Sequence, residues 1–168
     1  MSKDHLTVGV PAPDFELYTV NEDRFRLYEQ LTKGPVLLTF FKSSCPTCQL
    51  TLPLIQTLFM AAKPNSFVQC YGISQDSDNE TRIFTSKNGL YFPVLIDQHP
   101  YQVSSDYELK FVPTLFFVNQ DGIIQIADFG FSKSTLNEVA TQMKVDLECE
   151  ANILFGKEYE DLPDFRPG

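Results

Sequence analysis

Cys45 and Cys48 are separated by Pro46 and Thr47. Two thiols at this spacing support dithiol–disulfide exchange or half of a metal site. From Pro46 to about Ala62, the residues Leu54, Ile55, Leu58, Phe59 and Ala62 recur with helical spacing; Pro46 suits the first turn, and Pro64 lies just past the end. The pair is therefore predicted at a helix N-terminus, where free N–H groups and the helix dipole favour a thiolate. Cys45, first and more exposed, reads as the nucleophile; Cys48, one turn on, reads as the resolving thiol. Taken alone, the pair also fits two reduced core cysteines. A structural zinc site would need two more ligands at matched spacing, yet Cys70 and Cys149 stand alone and neither His5 nor His99 has a partner nearby. Cys70 falls inside a predicted buried strand and reads as a small hydrophobe. Cys149 follows the last predicted helix and reads as an exposed, oxidisable thiol, and His99, beside Pro100, as a surface turn residue.

The elements that position the pair follow from periodicity and punctuation. Gly9, Pro11, Pro13 and Gly34-Pro35 mark an extended leader with short edge strands, and Val36 to Phe41 reads as a buried strand leading into the cysteines. Pro53 is expected to remove a hydrogen bond and kink the helix. Phe67 to Ile73 is predicted as the next strand, and Ser77 with Glu80 has capping-box spacing for a short helix ending before Gly89. Val94 to Ile96 reads as a strand, followed by a helix-like stretch with Val103, Tyr107 and Leu109. Thr114 to Val118 and Ile123 to Ala127 flank an Asp121-Gly122 turn and are predicted antiparallel. A last amphipathic helix after Ser134-Thr135 carries Leu136, Val139, Ala140, Met143 and Leu147. This order predicts an α/β fold, a central mixed sheet flanked by helices.

With 168 residues, 43% of them hydrophobic, the chain suits one domain. The core is expected at about 8–147, with an acidic extension over 148–168 that reads as a solvated face. A net charge of −9 argues against nucleic-acid partners, and no apolar run is long enough for a membrane span. The first residues lack the apolar core of a secretory signal, so the expectation is a cytoplasmic protein, or a periplasmic one if a signal has been trimmed.

Val36 to Cys48 followed by Gln49-Leu50-Thr51-Leu52-Pro53 resembles the strand, active-site loop and kinked helix of TlpA-like thioredoxins. Gly9-Val10-Pro11-Ala12-Pro13-Asp14-Phe15 is similar to the leader of the redoxin and AhpC/TSA superfamily, and Phe92 to Asp97 and Tyr107 to Gly122 also resemble family motifs. The resemblance implies a thioredoxin-like fold and a thiol-disulfide oxidoreductase acting through Cys45 and Cys48, with no bound cofactor. Its substrates would be protein or low-molecular-weight disulfides, and its electron donor a thioredoxin or glutathione. It implies a cis Val112–Pro113 bond against the cysteines, with Val112, Pro113, Pro46 and Thr47 forming the substrate surface.

Three positions depart from the family pattern. Ser44 stands where relatives usually have Trp, and Thr39 and Thr51 where relatives carry a carboxylate able to accept the proton of the second cysteine. Thr51 reads as a solvated helix residue, and a carboxylate restored there is expected to speed turnover. Lys42, three residues before Cys45, reads as exposed or as adding positive potential to the thiolate. The competing readings are a peroxide-reducing redoxin and a binding module without redox turnover. In the first, the peroxidatic cysteine of peroxiredoxins aligns with Cys48, while their active-site Thr and activating Arg fall on Cys45 and near Pro113.

Overall fold

The computed structural model describes residues 4–145 and 157–168. Its centre is β3 (Val36–Phe41), a run of six apolar or small residues that is buried throughout. Such a strand can persist only with both faces covered. β3 pairs in parallel with β4 (Gln69–Ser74) and antiparallel with β6 (Thr114–Val118). β5 (Val94–Ile96) and β7 (Ile124–Phe129) complete a mixed sheet in the order β5-β4-β3-β6-β7.

Side-chain alternation along β3 separates two cores. Leu37 and Phe41 pack with Leu52, Ile55 and Leu58 of α2 (Pro46–Ala61), Phe84 of α3 (Asp78–Lys87), and Leu136, Val139 and Ala140 of α5 (Lys133–Gln142). Val36, Leu38 and Phe40 pack on the other face with Ala12 and Phe15 of the leader, Leu27 and Leu31 of α1 (Leu27–Leu31), and Val103 of α4 (Gln102–Asp106) with Tyr107 beyond it. Tyr107 is fully buried, and its hydroxyl donates to Pro13 O at 2.9 Å, tying the leader to this layer.

The predicted capping box forms: Ser77 Oγ accepts from Glu80 N, and the Glu80 carboxylate accepts from Ser77 N. The helix carrying Cys48 runs on through Pro53, and Thr57 Oγ1 donates to the Pro53 carbonyl at 3.1 Å. The hairpin turn rests on Asn119, whose Oδ1 accepts from Asp121 N and Ile123 N, with Gly122 at φ +80°.

Two expectations are corrected. β4 begins at Gln69, because Pro64–Ser66 forms a 3-10 turn and Phe67 takes φ +55° with its ring exposed. Gly34 packs so tightly on the Phe67 carbonyl that a Cβ there would collide with it. The leader does supply strands, but β1 (Glu16–Tyr18) and β2 (Arg24–Arg26) form a separate antiparallel ribbon. That ribbon joins β5 through a Thr19–Leu95 bridge and a bond from Val20 N to Val94 O. Residues 9–12 meanwhile lie along β7, exchanging bonds between Gly9 N and Ile124 O, and between Ile124 N and Val10 O. One leader thus reaches both edge strands of the sheet.

The segment from residue 157 onward does more than solvate. Within α6 (Lys157–Glu160) Tyr159 is buried, with Leu162 against the same core, while Asp161 and Asp164 remain exposed. β9 (Phe165–Arg166) pairs antiparallel with β8 (Phe131–Ser132). Leu147 and Cys149 lie outside the described residues.

Candidate functional site

The cysteines sit where β3 ends and α2 begins. Cys45 is the N-cap residue, in extended conformation, and Pro46 occupies the first helical turn. Cys48 N donates to Cys45 Sγ at 3.2 Å, so the sulfur itself satisfies one free N–H of the helix. Cys45 is half-buried, whereas Cys48 is wholly buried in the α2 core. Both are free thiols.

Burial pushes the Cys48 thiol far above the ordinary range. Its hydrogen bond with Cys45 and the negative charge of Asp76 act in the same direction, and a backbone hydrogen bond with Lys42 opposes them. Cys70 is also buried and raised, by desolvation alone. It belongs to β4, away from the loop, as a small core residue.

The Val112–Pro113 bond is cis. Cys45 Sγ donates to Val112 O at 3.3 Å, which brings together the first cysteine and the residue before Pro113, as the resemblance implies. Pro113 is buried and Val112 half-buried; Pro46 is exposed at the rim. Thr47 is 4% exposed, and its Oγ1 donates to the carbonyl of Pro167 at 2.7 Å. All six residues singled out from the sequence thus lie where the Cys45 loop meets the Val112–Pro113 bond, with Cys48, Thr47 and Pro113 beneath the surface.

Asp76 was not legible in the sequence. It lies in the turn between β4 and α3, and its Oδ2 accepts from Ser43 N at 2.6 Å, holding the loop ahead of Cys45. Gln49 Nε2 donates back to Ser43 O at 2.8 Å and closes that loop from the helix side. A capping-type Asp before Ser77 gave no local sign of a partner 33 residues away.

The remaining expectations divide. Lys42 is half-buried, its ammonium 5.5 Å from the Tyr101 ring centroid. Thr51 is no solvated residue: it is 1% exposed, and its Oγ1 donates to Thr47 O at 2.8 Å. A hydroxyl satisfied by the preceding turn is compatible with that burial, whereas a water-seeking side chain is not. Thr39 is also buried, and its Oγ1 has no hydrogen-bond partner among the described residues. His99 is exposed in a turn with a cis bond to Pro100. Among the described residues, no group of three or more His, Cys, Asp or Glu side chains could hold a metal ion, and no helix is long and apolar enough to cross a membrane.

The chain has relatives among known proteins. The thioredoxin-like protein YneN of Bacillus subtilis is 28% identical over 142 residues, covering 83% of this chain and 79% of that protein. The thiol-disulfide oxidoreductase ResA of Halalkalibacterium halodurans is 26% identical over 138 residues, covering 81% and 77%. The crystal structure of the peroxidoxin BcpB from Mycobacterium tuberculosis superposes with a TM-score of 0.71 at 20% identity, covering 84% of this chain and 99% of that one, a likeness of fold. The sequence profile of the AhpC/TSA family matches residues 8–127, from the leader into the second strand of the hairpin after Pro113. With the fold and the dithiol loop both inside that match, the chain belongs to the AhpC/TSA family.

Proposed function

We propose that Cys45 and Cys48 are the reacting pair of this thiol-disulfide oxidoreductase, with Cys45 attacking and Cys48 resolving. The observation that carries the reading is the asymmetry of the pair: Cys45 is half-exposed at the helix cap, and Cys48 is sealed beneath it. In the reductase direction, the Cys45 thiolate attacks one sulfur of a substrate disulfide. That S–S bond breaks, a mixed disulfide forms on Cys45, and the departing thiolate takes up a proton. Cys48 then loses its proton and attacks Cys45 Sγ. The second substrate thiol leaves, and two electrons have passed to the substrate, leaving a Cys45–Cys48 disulfide.

Protein disulfides are the substrate class we propose, because Val112 and Thr47 offer a backbone carbonyl and a hydroxyl beside Cys45 to an extended segment. Reopening the Cys45–Cys48 disulfide requires a thiol donor; a thioredoxin or glutathione, the donors of a reducing cytoplasm, would supply the two electrons. A peroxide-reducing role centred on Cys48 is disfavoured by its burial, since a peroxidatic sulfur must meet peroxide as a thiolate.

Trapping tests the reading. Cys48→Ser should accumulate mixed disulfides at Cys45, visible on non-reducing gels and reversed by dithiothreitol, while Cys45→Ser should accumulate none and lose insulin reduction. Adducts on the Cys45→Ser protein instead would reverse the two roles.

A further inference from the structure

The surface beside Cys45 is already covered by this chain's own residues. Tyr159 anchors the segment in the α5 core, with its ring edge-on to Phe131 at 6.4 Å and beneath the Lys133 ammonium at 5.2 Å. Its hydroxyl is pushed up to about 12 by that burial. Beyond Leu162 the chain straightens. Lys133 N donates to Asp164 O at 3.0 Å, and Ser132 and Phe131 pair with Phe165 and Arg166. Gly130, at φ +73°, lies so close to the Arg166 carbonyl that a Cβ there would strike it.

The last steps reach the dithiol. Thr47 Oγ1 donates to Pro167 O at 2.7 Å, and Gly168 lies against the backbone of Val112, where a Cβ would run into the Val112 carbonyl. That carbonyl is the one Cys45 Sγ touches. On the way, the Phe165 ring meets Phe129 edge-on at 5.8 Å, and Phe129 stacks on Phe111 at 5.4 Å, an aromatic platform leading up to Val112.

We propose that residues 164–168 are an intramolecular pseudosubstrate, a strap lying in the groove where an extended disulfide-bearing segment must pair before Cys45 can attack it. The proposal rests on the reading of Val112 and Thr47 as the substrate surface. An extended backbone across Thr47 and Val112, with an aromatic side chain on the Phe129–Phe111 platform, is also a template for the segment the groove accepts. Residues 163–168 are all exposed, and few hydrogen bonds hold them. Against the entropy of ordering six residues, such bonds leave docking only slightly favoured, so the strap can open. A strap docked about nine-tenths of the time would lower every rate that needs the open groove about tenfold.

The test compares the full chain with Gly168→Val, whose added side chain has no room against Val112, and with Phe165→Ala combined with Gly168→Val. Two readouts are taken: alkylation of Cys45 by iodoacetamide, followed by mass spectrometry, and insulin reduction. Alkylation is expected to rise about 3- to 10-fold in both variants, with insulin reduction rising in step, as the competent fraction approaches one. A synthetic peptide with the sequence of residues 162–168, added to the double variant, should slow alkylation again. Alkylation equal in all three proteins and indifferent to the peptide would overturn the strap, and insulin reduction in that case would leave the dithiol reading intact. Faster alkylation in the variants with no insulin reduction in any of them would support the strap and sink the dithiol reading.

Discussion

The sulfur of Cys45 donates to the carbonyl oxygen of Val112 across 3.3 Å, linking residues 67 positions apart. The helix that carries Cys48 and the loop that ends in Pro113 are thereby brought onto one sulfur atom. Since Cys48 N also donates to that sulfur, Cys45 is fixed from two sides while remaining open to solvent on a third.

Reagent access should follow this arrangement. In native, reduced protein, brief iodoacetamide treatment is expected to modify Cys45 at least about 10²-fold faster than Cys48 or Cys70, because both of those thiols are buried and held neutral by desolvation. Peptide mass spectrometry over a time course checks the order. Early label on Cys48 would reverse the assignment of the pair.

The resolving step should be limited by removal of the Cys48 proton. Its thiol is raised first by burial, so turnover is expected to climb with pH from neutrality to about 9, above the ordinary thiol range. Asp76→Asn keeps an oxygen for Ser43 N but removes the negative charge that opposes the Cys48 thiolate. The pH profile of insulin reduction should shift to lower pH, by at most about one unit. A fall in rate with no shift of profile would mean that Asp76 instead accepts the Cys48 proton.

Stability should fall in alkaline solution for the same reason. Cys48 and Cys70 have folded-state pKa values above those of free thiols, so each favours the native state fully below about 8.5. Above that pH the unfolded thiols lose protons and the folded ones do not, so stability declines by up to about 1.4 kcal/mol per pH unit for each group. Urea midpoints of the reduced protein between about pH 8.5 and 10 should fall, and Cys70→Val should remove roughly half of the slope. An unchanged slope would place the loss elsewhere.

Much of the architecture was legible because its signals are local. The Val36–Phe41 strand, the Pro46 helix start and the Ser77 cap each depend on residues within one turn of themselves. The surroundings of Cys48 were not, because they depend on distant segments. Thr51 reads as solvated on a helix whose partners are unknown, yet in the fold its face meets the α2 core. Asp76 joins the site through a bond to Ser43, and Pro167 through a bond to Thr47 spanning 120 positions. Likewise, the acidic stretch concealed Tyr159 and Leu162, two apolar residues too few to make a periodic pattern.

Thr39 and Thr51 should behave oppositely on substitution. Thr39→Val replaces a buried hydroxyl that lacks a partner with a methyl of similar size, and should stabilise the protein by about 1 kcal/mol. Thr51→Glu would bury a carboxylate and remove the bond to Thr47 O, for a loss of about 2–4 kcal/mol. Urea titration of each variant checks both signs, and insulin reduction by Thr51→Glu must be read against its folded fraction.

The leader that crosses from β7 to β5 also bears on self-association. A sheet of five strands has two rows of unpaired backbone groups along its outer strands, and open rows of that kind template the addition of strands from other molecules. Residues 9–12 occupy the start of one row and residues 19–20 part of the other, with the ion pairs of Arg24 to Glu16 in the ribbon and to Glu29 of α1 outside it. The same stretch that buries Ala12 and Phe15 against the core therefore also acts as a guard against fibrillar polymerisation.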